Sequence, residues 1–465
     1  MKKIFIISLS LLLFFLFSYF LFPSNSKAAT LEVGAGRAYS TIQSAVNTAQ
    51  AGDTVLVYPG TYNESVLIPD GKQGTATSPI VIKALYPARK PLNSGAWADT
   101  TDKRSVVNAG SGVAGFYNEG YTQTPVSNII IDGFYILGGG GLSAYSSGGG
   151  IFFENDDNIW IRNNAILNTS PYRLYNSNGE QTANVYLKFT DNSLVQNNYF
   201  EYLSTESYTT SAFFVNNSGS NNIVEYNEGY IGPGAVNGSF AYIRVGSNGF
   251  IYRYNHVKSE ATQGGNIFAR FRDHTDTTIS NNYFRSTAPQ QFLAVHENTD
   301  AGLIENHRLN RNTFYYDQGV YDNRRIFALG YLNQTECSNN IFYSGVSDAN
   351  SYPIGQAWTV NSYSITVDNN VYYNFPALVQ PVFTGYTETN TLNTNPDITA
   401  ATGCAASVNN DTYGANLDVS NIPYRKCDGA FYSATGKFGI SVVVSDGGSV
   451  PDTTPPSAPT GLTAQ

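Results

Sequence analysis

Ile159-Trp160-Ile161-Arg162-Asn163-Asn164-Ala165-Ile166 decides how this chain is read. Apolar residues alternate with others, the period of a β-strand, and then meet a pair of asparagines. The word returns as Asn197-Asn198-Tyr199-Phe200, Asn281-Asn282-Tyr283-Phe284, Asn339-Asn340-Ile341-Phe342 and Asn369-Asn370-Val371-Tyr372. Weaker copies sit at Asp132-Gly133, Asn227, Asn255 and Asn312. From Asn164 onward, the second Asn steps by 34, 29, 28, 27, 30, 28 and 30 residues. A period near thirty with no helical pattern points to a solenoid. Three short strands and three turns fill one period, which is one rung of a right-handed parallel β-helix. The fold class is therefore all-β, with strands of successive coils about 4.8 Å apart. Inward residues form apolar stacks. An Asn recurring at one turn forms a ladder of amides, each bonding the next coil, so its role is structural. About nine to eleven coils are expected, one per repeat.

Composition agrees. The chain has 465 residues, 42% hydrophobic and only 13% charged. Its 34 Tyr and 27 Phe exclude disorder over most of the length. Its 43 Gly and 19 Pro exclude a long coiled coil, and three Cys cannot staple a chain this long. The net charge of -9 becomes -12 once Lys2, Lys3 and Lys27 are removed with residues 1–29. That balance disfavours general nucleic-acid binding.

Residues 1–29 read as a signal peptide: Lys2 and Lys3, an apolar run from Ile4 to Phe22, then the small-residue site Ser26-Lys27-Ala28. The run is long enough for a retained anchor. The polar stretch and small-residue site after it favour cleavage, leaving a secreted or cell-surface protein with no membrane attachment. Export permits disulfides, and Cys404 with Cys427 is the expected pair, leaving Cys337 as a buried thiol. Residues 30–444 form the solenoid. Ser445 to Gln465, rich in Gly, Pro, Ser and Thr, reads as a linker.

Tyr39 to Gln50 is an amphipathic segment with Ile42, Ala45, Val46 and Ala49 on one side, a short helix to cap the first coil. The next words, Gly52-Asp53-Thr54-Val55-Leu56-Val57-Tyr58-Pro59-Gly60-Thr61-Tyr62, resemble the opening of secreted β-helix proteins, among them pectate-lyase-like enzymes and pectin esterases. Cys427-Asp428-Gly429-Ala430-Phe431 is similar to their closing words. The resemblance spans residues 31–435 and implies the fold. It leaves activity open, because lyases, hydrolases, esterases and adhesins share that fold. Pro455-Pro456-Ser457-Ala458-Pro459-Thr460-Gly461-Leu462 resembles the first words of fibronectin type III modules and implies a linker to such a module, itself missing here.

The strand before each Asn strand supplies the candidate site. Aligned, it reads Phe152-Phe153-Glu154, Tyr186-Leu187-Lys188, Phe214-Val215-Asn216, Tyr242-Ile243-Arg244, Phe268-Ala269-Arg270 and Ala294-Val295-His296. The apolar middle column points inward. The flanking columns point out: Phe152, Tyr186, Phe214, Tyr242 and Phe268 on one side, and Glu154, Lys188, Asn216, Arg244, Arg270 and His296 on the other. Aromatic faces stack on sugars and Arg forks grip carboxylates, so this wall is read as a groove for an acidic polysaccharide. A plain polar outer face, or a second core under the loop from Asn168 to Ala183, is the bland alternative. His256 and His307, near the Asn turn, are read as structural or surface residues, and Glu225 and Glu305 as solvated.

On this wall β-elimination is the expected reaction. Arg244 and Arg270 neutralise the uronate carboxylate, and His296 or its rival Lys188 takes the proton beside it. Tyr242 protonates the leaving oxygen. Phe152, Tyr186, Asn216, Phe268 and Arg272 bind sugar, and Glu154, Asp273 and Glu297 are candidate ligands for Ca²⁺. Hydrolysis needs two facing carboxylates, and the column offers no close pair. Val257-Lys258-Ser259 and Arg272-Asp273-His274 only faintly resemble the Asn-Lys-Ser and Arg-His-Gly words of alginate- and chondroitin-lyase β-helices. Lys258 is expected on the third strand, off the proposed wall, and no role is carried over. The competing readings are a non-catalytic adhesin or glycan-binding solenoid, and a β-helix hydrolase. A monomer is expected.

Overall fold

Each Asn-Asn word turns a corner. Its first residue takes the left-handed backbone conformation, with φ of 58° at Asn163, 54° at Asn197 and 57° at Asn281. Asn is tolerated there because its short amide bonds locally. Tyr226, Tyr254 and Arg311 adopt the same conformation in the weaker copies. The second residue points inward and is fully buried at Asn164, Asn198, Asn227, Asn255, Asn282, Asn312, Asn340 and Asn370. From Asn164 to Asn340, each Nδ2 donates to the Oδ1 of the next Asn at 3.0–3.1 Å. Each amide also reaches a carbonyl of the preceding coil, as Asn198 does to Ile161 at 2.9 Å. The expected ladder is thus present, and it satisfies polar groups that burial would otherwise penalise.

The computed structural model describes residues 27–393 except 90–102, 111–112, 120–123, 140–148, 169–182, 203–210, 234–237, 245, 262–266, 272–275, 288–292, 295–303, 318–324, 330–331, 334, 348–351, 357–364 and 376–385. The chain is a right-handed parallel β-helix, the hand that crossover connections between parallel strands nearly always take. Three long parallel sheets form its walls. A coil such as Gly149–Glu154, Asp157–Arg162 and Ala165–Asn168 gives one strand to each: among the described residues the first has seven strands, the second thirteen and the third twelve. The second sheet exceeds the about nine to eleven coils expected from one coil per repeat. The surplus lies outside the Asn words: Thr30–Val33, Thr54–Val57 and Ile80–Ala84 come before them and Tyr386–Thr389 after.

Register builds the core. Ile131, Ile161, Val195, Val224, Tyr252, Ile279, Leu309, Cys337 and Val367 follow one another up the second sheet. Cys337 is therefore a small apolar rung, free and buried as expected. Up the third sheet Phe284, Phe314, Phe342 and Tyr372 stack with ring centroids 5.1, 5.4 and 5.2 Å apart. Such pairs add about 0.5–1.5 kcal/mol each beyond the area they bury.

Helix α1 (Ile42–Thr48) closes the first coil with Ile42, Ala45 and Val46. The Thr41 hydroxyl accepts the Ser44 N–H, and the Glu64 carboxylate accepts those of Ile42 and Gln43 at 2.8 and 3.0 Å. The free N–H groups at the start of this short helix are thereby satisfied. Cys404, Cys427, the leader up to residue 26 and the C-terminal linker lie outside the described residues. Among the described residues no helix is long and apolar enough to cross a membrane.

Candidate functional site

The first sheet places the expected wall differently. Glu154 and Lys188 are neighbours, as read from the sequence, and form an ion pair at 2.8 Å. Then the register departs by one residue: Lys188 lies beside Asn217, and Asn216 beside Leu187. A one-residue slip sends a side chain to the opposite face. Asn216 consequently points into the solenoid and is fully buried. Its Nδ2 donates to the Gly219 carbonyl and to Ser247 Oγ, and its Oδ1 accepts from Asn222. Arg244 follows Asn217, in the Glu154–Lys188 column. Arg270 pairs with Tyr242 and so stands in the aromatic column. The expected stack of Arg244 directly beneath Arg270 is corrected accordingly.

The aromatic column is also not open where it is described. Phe152 and Tyr186 are each 1% exposed and pack edge to face, centroids 5.5 Å apart. With Ala114 and Ala183 they make a small outer core, as the bland alternative expected. For Tyr242, Arg244, Phe268 and Arg270 the structure describes the strand but not the side chain, and Arg272, Asp273, His296 and Glu297 lie outside the described residues. No group of three His, Cys, Asp or Glu side chains is placed to hold a metal among the described residues. Glu225 is buried rather than solvated, bonded to Arg253 at 2.7 Å and to Gln196 at 2.7 Å.

The third sheet carries the denser chemistry. Its outward side chains fall into two columns by register. One holds Tyr199, Glu228, His256 and Tyr283. The other holds Glu201, Tyr230, Lys258 and Arg285, then Tyr315, Tyr343 and Tyr373. An outer sheet face ordinarily leaves such groups in water. Here Glu201, Glu228, His256 and Lys258 are all buried, Lys258 at 9% exposure. Ionised groups are seldom this buried unless they are paired.

Pairing is what the structure provides. Glu260 bridges two rungs: the Tyr230 hydroxyl donates to its Oε2 at 2.6 Å, and the Lys258 ammonium meets its Oε1 at 2.5 Å. On the next rung Arg285 donates from Nε and Nη2 to one oxygen of Asp317, at 3.2 and 2.9 Å. Arg89 comes from far earlier in the chain and binds Glu228 at 2.7 Å. The ring of His256 lies 4.7 Å from that of Tyr283. Burial first, then the bond to Glu260 and the Glu201 charge, push the Tyr230 phenol above its usual pKa and hold it protonated. Burial works to raise the Glu260 carboxyl, but its bonds from Lys258 and Tyr230 outweigh that and keep it low. The result is a proton donor and an ammonium joined through one carboxylate, with a guanidinium beside them.

A pattern for this face exists in the sequence. In the strands after the Asn turns the polar residues sit two apart: Tyr199 and Glu201, Glu228 and Tyr230, His256 and Lys258, Tyr283 and Arg285. The expected wall draws only on the strand before the turn, whereas these columns lie on the strand after it.

No protein-family model matches the chain, and no curated protein matches it. Similar solved structures include an alginate lyase from Paenibacillus sp. str. FPU-7, with TM-score 0.44 and 15% identity, covering 78% of this chain and 99% of that one. PfbA, a surface adhesin of Streptococcus pneumoniae, gives TM-score 0.40 and 13% identity over 76% and 88% of the two chains. DFA-IIIase from Arthrobacter chlorophenolicus A6 gives 0.42 and 13% over 77% and 87%. At these values no activity or residue role passes from them to this chain.

Proposed function

We propose that the protein is a secreted carbohydrate-active enzyme, a lyase that cleaves an acidic, uronate-containing polysaccharide on the outer face of the third sheet. One observation carries the reading: Tyr230, Lys258 and Arg285 climb one outward column on three consecutive rungs, the first two joined by Glu260. Elimination needs these functions, a base, an acid and a cation for the carboxylate.

Lys258, in its neutral amine form after losing a proton to solvent, takes the proton next to the uronate carboxylate. The electrons of that C–H bond form the new double bond, and the bond to the neighbouring sugar's oxygen breaks. Tyr230 gives its proton to that oxygen. The proton gained by Lys258 then passes along the Glu260 bridge to the phenolate, which restores the amine and the phenol. Arg285 has five N–H donors, and Asp317 engages two of its nitrogens, which leaves others for the substrate carboxylate.

A second reading keeps the work on the first sheet, with Lys188, Arg244, Arg270 and His296. In its favour, Lys188 and Arg244 occupy one register column two rungs apart. The test is incubation with alginate, pectate and glycosaminoglycans, with and without Ca²⁺, following the ultraviolet absorbance of an unsaturated sugar end. Wild type should produce it and Lys258→Ala should not. Reducing sugar released without that absorbance would make the protein a hydrolase, and binding without turnover an adhesin or glycan-binding solenoid.

A further inference from the structure

The column that holds Lys258 and Arg285 does not stop there. Tyr315, Tyr343 and Tyr373 occupy its next three rungs, each half-buried. Their rings are stacked, with centroids 4.5 and 5.1 Å apart and planes inclined by 6° and 26°. The Arg285 guanidinium lies 5.9 Å from the Tyr315 ring and joins the charged rungs to the aromatic ones. In the opposite direction the column runs through Leu167, which packs against a small apolar cluster, and the partly covered Leu137 to Asn108. The column thus has its charged groups in the middle, three phenols on one side, and two leucines followed by Asn108 on the other.

Ring stacking alone does not account for tyrosine. The inward ladder on the same strands stacks Phe314 on Phe342 equally well without hydroxyls. Because the outward rings cover one another's faces, what they can offer a ligand is their edges and phenol groups. Phenols at rung spacing, about 4.8 Å, match the rise of one sugar unit in an extended chain. Each can donate to and accept from a sugar hydroxyl or carboxylate.

We infer that Tyr315, Tyr343 and Tyr373 form a rail of sugar subsites, so that a linear acidic polysaccharide lies parallel to the solenoid axis and extends from Arg285 toward the C-terminal coils. This rests on the proposed third-sheet site. It adds a direction and a length: about one sugar per rung over three rungs, on one side of the reactive groups only.

Tyr343→Phe tests it, because the ring stack is kept and one hydroxyl is lost. The probes are hexamers and dimers prepared from alginate and from polygalacturonate, titrated calorimetrically into the full chain. The expected result is a loss of hexamer affinity of about five- to tenfold, the worth of one hydrogen bond, with dimer affinity and melting temperature unchanged. Equal weakening of both lengths, no weakening of either, or no binding of either would overturn the rail. The ultraviolet assay on the same samples separates the two ideas. Hexamer binding that depends on Tyr343 without unsaturated product keeps the rail and removes the lyase. Turnover with hexamer affinity indifferent to Tyr343 does the reverse.

Discussion

The first and third sheets are built from the same coils, yet their outer faces differ in kind. On the first, Phe152 and Tyr186 pack on each other and Glu154 is neutralised by Lys188. On the third, Tyr230, Lys258 and Glu260 form a three-membered bridge with Arg285 and Asp317 alongside. A pair that cancels is sufficient to stabilise a wall. One carboxylate bonded to two titratable partners, beside a guanidinium, exceeds what a wall requires. The difference lies in connectivity: the Glu154 carboxylate meets one cation across a rung, whereas Glu260 joins an ammonium and a phenol from two rungs.

The largest effect expected from this contrast is on turnover. Arg285→Ala should lower the rate of unsaturated-end formation by about a thousandfold or more, the worth of an electrostatic stabiliser of the developing charge, with the melting temperature little changed. An Arg285→Ala protein as fast as wild type would erase the distinction between the faces. Tyr230→Phe should cost about a hundredfold in kcat, the usual contribution of a proton donor, with KM barely moved. A change confined to KM would make Tyr230 a binding group.

Stability supplies a smaller effect. Asn282→Ala removes bonds to Asn312 and to the Tyr252 carbonyl and should destabilise by about 1–3 kcal/mol, seen as a lower denaturant midpoint. No loss would show that the ladder is incidental.

A pH-dependent effect concerns Asp156, just after a strand of the first sheet. Burial pushes its carboxyl up to about 8, against the pull of the Val126 N–H, which donates to it at 2.7 Å. A raised pKa means that the folded state holds the proton more tightly than the unfolded chain does. The stabilisation is complete below the unfolded carboxyl pKa and is lost as pH rises toward about 8. Asp156→Asn keeps an acceptor for Val126 and removes the charge. Its melting temperature relative to wild type should rise between acid and mildly alkaline pH. A difference constant across that range would show that Asp156 titrates normally.

The Asn words made the solenoid legible because an inward amide must recur at one turn of every coil. Their spacing also carried the ladder from Asn164 to Asn370. The site was harder to read. A repeat that varies between 27 and 34 residues leaves register uncertain by one, and at Asn216 that single residue turned a proposed outward ligand into an interior rung. The aromatic column misled for another reason: Phe152 and Tyr186 do alternate outward, but sequence carries no sign that neighbours cover them. Lys258 and Arg285 are adjacent rungs 27 residues apart, and that became visible only once the strand after the Asn turn was placed beside its equivalents.

One measurement tests the contrast most directly: the initial rate of unsaturated-end formation on the preferred uronan by wild type, Lys258→Ala and Arg270→Ala, each checked for an unchanged melting temperature. The third-sheet site predicts that Lys258→Ala is silent while Arg270→Ala still turns over. An active Lys258→Ala beside a silent Arg270→Ala would contradict it and return the chemistry to the first sheet.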